Sequence, residues 1–303
     1  MSHEHHHHHH HSEELTNVNR AFYIGISLNF LFVLIEVIVG LNIHSLSLLS
    51  DAGHNLADVA SLALSLLAFR LVKVKPNEKY TYGYRKTTIL VALFNAVVLL
   101  VSIGAIGYEA LHRFISPEPL QGVTIAWVAG VGIVINGVTA LLFLREKEKD
   151  INIKSAYLHL LSDALVSFAL VIGGIVIVYT HWYWIDALLS LIVAVVILYS
   201  TWSLLRSSLR LSLDGVPENV NMDTIKKQIK AIDGVKDIHH IHVWGLSTTT
   251  NALTAHILVD AHMSILQADA LKKKIKHELE HLNIHHATLE FEESMRNCAN
   301  DEL

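Results

Sequence analysis

The chain has a single cysteine, Cys298, which leaves no partner for an internal disulfide, so the fold rests on packing and on any metal it binds. Charge is scarce as well. Asp, Glu, Lys and Arg make up 17% of the residues against 52% hydrophobic ones, and the mean hydropathy of +0.41 excludes an ordinary soluble protein. The net charge of −5 is mild and no basic stripe stands out, which argues against a nucleic-acid partner. A cleavable signal peptide is missing too, because the first apolar run, from Phe22, follows a polar segment without a basic cluster. What the sequence has in excess is histidine, at 22 residues.

Part of that excess is the opening MSHEHHHHHHHSEEL. Two readings stay open, an added affinity tag or a native tail, since the run flows into Ser12-Glu13-Glu14 with no linker or protease site. Under either reading, residues 1–20 are expected to be a disordered, metal-attracting tail outside any core.

Six apolar stretches follow, each near the ~20 residues that a spanning helix needs. Turn and charge signals place them at Phe22–Leu41, Leu46–Val72, Thr87–Tyr108, Val123–Leu144, Ala156–Thr180 and Ile185–Leu205. The expected fold class is therefore an α-helical membrane protein embedded in a lipid bilayer. Positive charge sorts the loops. Arg70, Lys73, Lys75, Lys79, Arg85 and Lys86 lie between spans two and three, and Arg145, Lys147, Lys149 and Lys154 between spans four and five. Arg206 and Arg210 follow span six, whereas the opposite loops contribute only Arg113. The positive-inside rule then puts both termini in the cytoplasm.

After Asp214-Gly215-Val216-Pro217 the pattern changes. VNMDTIKKQIKAIDG has helical spacing, VKDIHHIHVWGL and NALTAHILVDA alternate as strands do, SILQADALKKKIKHELEHLN is an amphipathic helix, and HHATLEFEE alternates again. That order makes one small cytoplasmic α+β domain, of a size that gains stability by dimerising. The predicted division is a tail at 1–20, a membrane domain at 21–213 and a cytoplasmic domain at 214–303.

The second span contains LLSDAGHNLADVASL, an odd sequence for a helix in lipid. Asp51, His54 and Asp58 fall at i, i+3 and i+7, on one helical face across ~10 Å of its length. In the fifth span, AYLHLLSDALVS repeats the His-x-x-x-Asp spacing with His159 and Asp163. At i and i+4 each pair is adjacent and able to bind one ion. Two imidazoles and two carboxylates form an N2O2 set suited to tetrahedral Zn2+. Ionisable groups at bilayer depth are costly unless they face a cavity or a partner, by roughly +2.5 to +3.5 kcal/mol each on insertion scales. The bland alternative is interhelical hydrogen bonding, the reading that suits Asn95 and Asn136. A duplicated motif favours the metal.

With these residues in view, the six spans, the motifs HNLAD and HLLSD, the DGVP junction and the HIHVW strand resemble the cation diffusion facilitators, specifically their zinc-transporting branch, over nearly the whole chain. The resemblance implies a homodimeric antiporter that exports Zn2+, with Cd2+ or related ions as further cargo, from the cytoplasm in exchange for protons. Its transport site would be His54, Asp58, His159 and Asp163. It also implies six transmembrane helices followed by a metallochaperone-like cytoplasmic domain. The expected location is a bacterial inner membrane. Some members carry a further metal site after span two or a His-rich loop between spans four and five. Here RLVKVKPNEKYTYGYRK has no His or Asp, and LREKEKDINIKSA has no His.

In the cytoplasmic domain the resemblance carries metal binding to His242 and His256, with Glu292 at a carboxylate position, so that Zn2+ is expected as regulatory ligand as well as substrate. His239, His240, His285 and His286 crowd the same strands. The family's lysine before span three and aspartate after span six, paired across the dimer, match Lys86 and Asp214. Asp51, outside the four-ligand set, reads equally as a pathway carboxylate or as a helix-packing one. Glu36 is a candidate proton relay, and Asp186, beside Trp182, Tyr183 and Trp184, a helix cap near the outer surface.

One motif points to another class of function. His277–His281 reads HELEH, the H-E-x-x-H pattern of zinc proteases, so a membrane-bound zinc metalloprotease is the alternative. Against it, Leu271, Ile275, Leu279 and Leu282 make the apolar stripe, which leaves His277 and His281 on the solvated Lys273 face with no evident third ligand.

Overall fold

The computed structural model describes residues 10–42, 46–115, 123–180 and 184–293. Six long helices come first: α1 (His10–Asn42), α2 (Leu46–Leu71), α3 (Thr87–Ile115), α4 (Val123–Phe143), α5 (Ile151–Thr180) and α6 (Trp184–Ser212). Each contains one of the predicted spans, give or take a turn. The largest difference is at α1, which begins at His10, so the second half of the expected tail is helical. Among the described residues, Arg20–Asn42, Thr87–His112 and Ala187–Ser212 are long and apolar enough to cross a membrane.

The chain forms two compact units, Met1–Lys75 with Leu90–Ser208, and Pro76–Ile89 with Leu209–Leu303. In the first, α1 packs on α2 and α4, α4 on α5, and α2 on α5. Phe22, Leu62, Leu66, Phe143, Ile153 and Leu160 are buried together where these helices meet. Glycine sets the α1–α4 approach. A Cβ on Gly25 would lie 2.9 Å from Thr139 Cγ2, and one on Gly132 would lie 2.9 Å from Phe32 Cζ, so a larger residue at either position requires the facing side chain to shift. Val101, Leu141, Ile192 and Tyr199 are among the large apolar side chains left exposed, which suits a surface solvated by lipid.

The second unit contains α7 (Met222–Lys230), β1 (Asp237–Gly245), β2 (Asn251–Leu258), α8 (Ile265–His281) and β3 (His286–Glu292). β1 pairs antiparallel with β2, and β3 joins the other side of β2 in parallel, a direction that requires α8 as crossover. Ile225, Ile229, Leu253, Ile257, Leu271, Ile275 and Leu279 form the core between the helices and one sheet face. Asn221 accepts from Thr224 N at 3.0 Å to cap α7, and Ser264 with Gln267 makes a capping box on α8. Lys230, hydrogen-bonded to Asp237 at 2.6 Å, holds that carboxyl below the usual carboxylate range. The small stabilisation this gives is present above the unfolded pKa and is lost as pH falls through the lowered one.

Residues 76–89 join this unit rather than the helices on either side. Thr248 N donates to Thr88 Oγ1 at 3.1 Å, and the Tyr82 and His286 rings meet edge to face at 5.5 Å. Lys86 Nζ donates to Asp214 Oδ1 at 2.5 Å within one chain.

Candidate metal centre

The α2–α5 contact brings the two polar helix faces together. Asp58 and His159 are 2% and 5% exposed, and Asp58 Oδ1 and His159 Nε2 are in direct contact. Asp163, one turn further along α5, completes a group whose ligand atoms all lie within 4.8 Å of one another. Asp58 Oδ2 is buried and makes no hydrogen bond among the described residues. Carboxylates held this close, away from water, repel each other unless a proton or a cation lies between them. An imidazole nitrogen with carboxylate oxygens is a donor set for Zn2+ and similar ions. His54 lies on α2 one turn before Asp58, but its side chain and those of Asp51 and Asp186 lie outside the described residues.

A cavity of about 10 Å³, enough for roughly one water-sized particle, adjoins the pair. Asp58, His159, Ser61, Ser65, Asn95 and Ser155 supply its polar lining. The three serines escape a search for ionisable residues, although their spacing holds the signal. Ser61 and Ser65 follow Asp58 at i+3 and i+7, and Ser155 precedes His159 by one turn, so both faces continue as polar stripes. Asn95 Nδ2 donates to Ser65 Oγ at 2.9 Å and ties α3 to α2 beside the site. Glu36 is fully buried on α1 and accepts two hydrogen bonds from Asn55 Nδ2, at 3.1 and 2.9 Å. Because Asn55 follows His54, Glu36 anchors α1 to the turn of α2 that precedes Asp58.

In the cytoplasmic domain the structure groups His239, His256 and Glu292, with ligand atoms within 4.8 Å of one another. Glu292 Oε1 is 2.6 Å from His256 Nδ1 and Oε2 is 3.1 Å from His239 Nε2. The His240 ring stacks on His256 at 5.1 Å between centroids. His242 is not in the group. β1 pairs His239 with His256 and then His242 with Thr254, with a bulge between, and His240 in that bulge has φ 47°. Exposed His242 instead lines an open pocket with Asp214 and Trp244. The resemblance places the ligand at His242, whereas a bulge of one residue, which no alternation pattern shows, brings His239 opposite His256.

The HELEH segment occupies the last turns of α8. His277 and His281 are both exposed, and neither belongs to a group of three metal-ligating side chains among the described residues. A catalytic zinc needs three protein ligands and a cleft, so the metalloprotease reading has no support here.

Comparison with known proteins gives the same picture for most of the chain. Residues 22–211 match the cation efflux transmembrane domain, and residues 217–294 match the cation efflux protein cytoplasmic domain. The chain is 35% identical to the zinc transporter ZitB of Escherichia coli (strain K12), over 96% of this chain and 93% of that protein. It is 38% identical to the zinc transporter ZitB of Pectobacterium atrosepticum, over 86% of this chain and 81% of the relative. With the cadmium, cobalt and zinc/H(+)-K(+) antiporter of Bacillus subtilis it shares 35% identity over 89% and 87% of the two chains. α1 to α6 therefore form a transmembrane domain, β1 to β3 with α7 and α8 form a cytoplasmic one, and the chain belongs to the cation efflux family, whose members are transporters and not enzymes.

Proposed function

We propose that this protein exports Zn2+, with Cd2+ and related ions as secondary cargo, from the cytoplasm in exchange for protons. It works by alternating access, as a homodimer in a bacterial inner membrane with both termini cytoplasmic. The observation that carries the proposal is the convergence of buried Asp58 and His159 with half-buried Asp163 between α2 and α5. His54 is the fourth ligand. The zinc transporters and the antiporter named above support the class of cargo.

Exchange follows from the ligands. Without metal, a proton between Asp58 Oδ1 and His159 Nε2 holds the pair together, and Zn2+ needs the same two lone pairs. Zinc arrival therefore expels protons, and proton arrival expels zinc. In everted vesicles an acidic lumen should drive zinc uptake, and an uncoupler should reduce uptake to passive leak. Equal uptake with and without the pH gradient, with no membrane potential present, would rule out proton antiport.

The His239–His256–Glu292 group is the regulatory zinc site. His239→Ala should raise the zinc concentration needed for half-maximal transport ~10-fold or more, the scale seen when metal-site partners are removed. His242→Ala should leave it unchanged. Zinc activation curves for the two variants in proteoliposomes check this, and a shift with His242→Ala alone would reverse the assignment.

A further inference from the structure

We propose that His277 and His281 form a separate metal site on the cytoplasmic domain, a two-imidazole chelate for borderline divalent ions of the Zn2+, Ni2+ and Cu2+ class. The geometry carries it. The two Nε2 atoms lie 3.4 Å apart across one turn of α8, with the rings inclined at 79°. Two nitrogens bound to one tetrahedral Zn2+ at 2.0–2.1 Å are separated by ~3.3 Å, so the two rings, placed within hydrogen-bond reach of each other, already have the nitrogen spacing that one ion requires. A water or a third group would fill the remaining positions.

The helix holds the pair in place. Leu271, Ile275 and Leu279 bury the opposite stripe of α8, so the histidines are presented outward from an anchored element. His281 is the last helical residue, where the unpaired carbonyls carry partial negative charge and favour a cation. Lys273, one turn before His277, directs its ammonium back to Asp269 at 3.0 Å. This site is distinct from the regulatory group. Alternation puts Ile238, Ile257 and Phe291 on the sheet face that packs against the helices, and their neighbours His239, His256 and Glu292 on the other face. With two protein ligands instead of three or four, the site should exchange its ion readily.

Diethyl pyrocarbonate footprinting of the full chain, read peptide by peptide by mass spectrometry, resolves these histidines from the N-terminal run. Added Zn2+ should lower labelling of His277 and His281 together, by more than half. In His277→Ala, labelling of His281 should be the same with and without Zn2+, because a single imidazole does not hold the ion. Alanine is a better helix former than histidine at an exposed position, so the variant keeps its fold. His256 reports on the regulatory site in the same samples, and protection at His277 and His281 without protection at His256 would support this site alone. Unchanged labelling of the pair, or full protection of His281 in His277→Ala, would overturn the proposal.

Discussion

Asp163→Ala should reduce zinc flux at least ~100-fold while leaving the protein folded and inserted, since loss even of residues that only orient metal ligands costs 10–100-fold. The carboxylate belongs to the close group with Asp58 and His159, and alanine removes its charge and its donor oxygen together. Folding should survive, because the substitution keeps helix propensity and takes away a half-buried carboxylate that is costly at bilayer depth. Asp163→Asn is the sharper comparison. It preserves shape and one oxygen donor but removes the negative charge and one protonation site, so zinc flux should fall while the residual flux keeps the pH dependence that Asp58 and His159 supply. Zinc uptake by proteoliposomes with matched protein incorporation tests both variants. Wild-type flux in Asp163→Ala would place the transport site elsewhere.

The cytoplasmic domain should be most sensitive at Ile275. This side chain is fully buried at the centre of α8, in the same core as Ile225, Ile229, Leu253 and Ile257. Ile275→Ala removes three carbons from a packed interior and should cost roughly 2–5 kcal/mol, while Ile275→Val should cost only about 0.5–1.5 kcal/mol. For a domain of this size the alanine change lowers Tm by on the order of 10 °C or more. Hydrogen exchange on the intact protein is the appropriate measure, because it resolves amides of β2 and α8 from those of the membrane helices. Equal protection in wild type and Ile275→Ala would mean that the C-terminal core does not unfold as a unit around this helix.

Much of the architecture could be read from residue patterns because it rests on short-range periodicity. Long apolar runs have one solution in lipid, the helix, since no water is present to satisfy an open backbone. The β-strands were legible from alternation and α8 from its leucine and isoleucine stripe. Less legible was the attachment of residues 76–89, whose charges and tyrosines read only as a basic cytoplasmic loop. Its partners are Thr248, 160 residues from Thr88, and His286, 204 residues from Tyr82, and no local pattern records such pairings.

By itself the sequence determined that this is a membrane protein with a small α+β appendage, and that two helices repeat a His-x-x-x-Asp motif. Composition and helical spacing are local properties, and lipid leaves them little freedom. Only the tertiary structure decided that Ser61, Ser65, Asn95 and Ser155 line the cavity beside Asp58 and His159, since that depends on which helix faces meet. It also decided that His239 rather than His242 meets His256 and Glu292. One extra residue in β1 between His239 and His242 sets His239 rather than His240 opposite His256, while His242 stays opposite Thr254, two residues of β2 away on the same face, and no local pattern records such a shift.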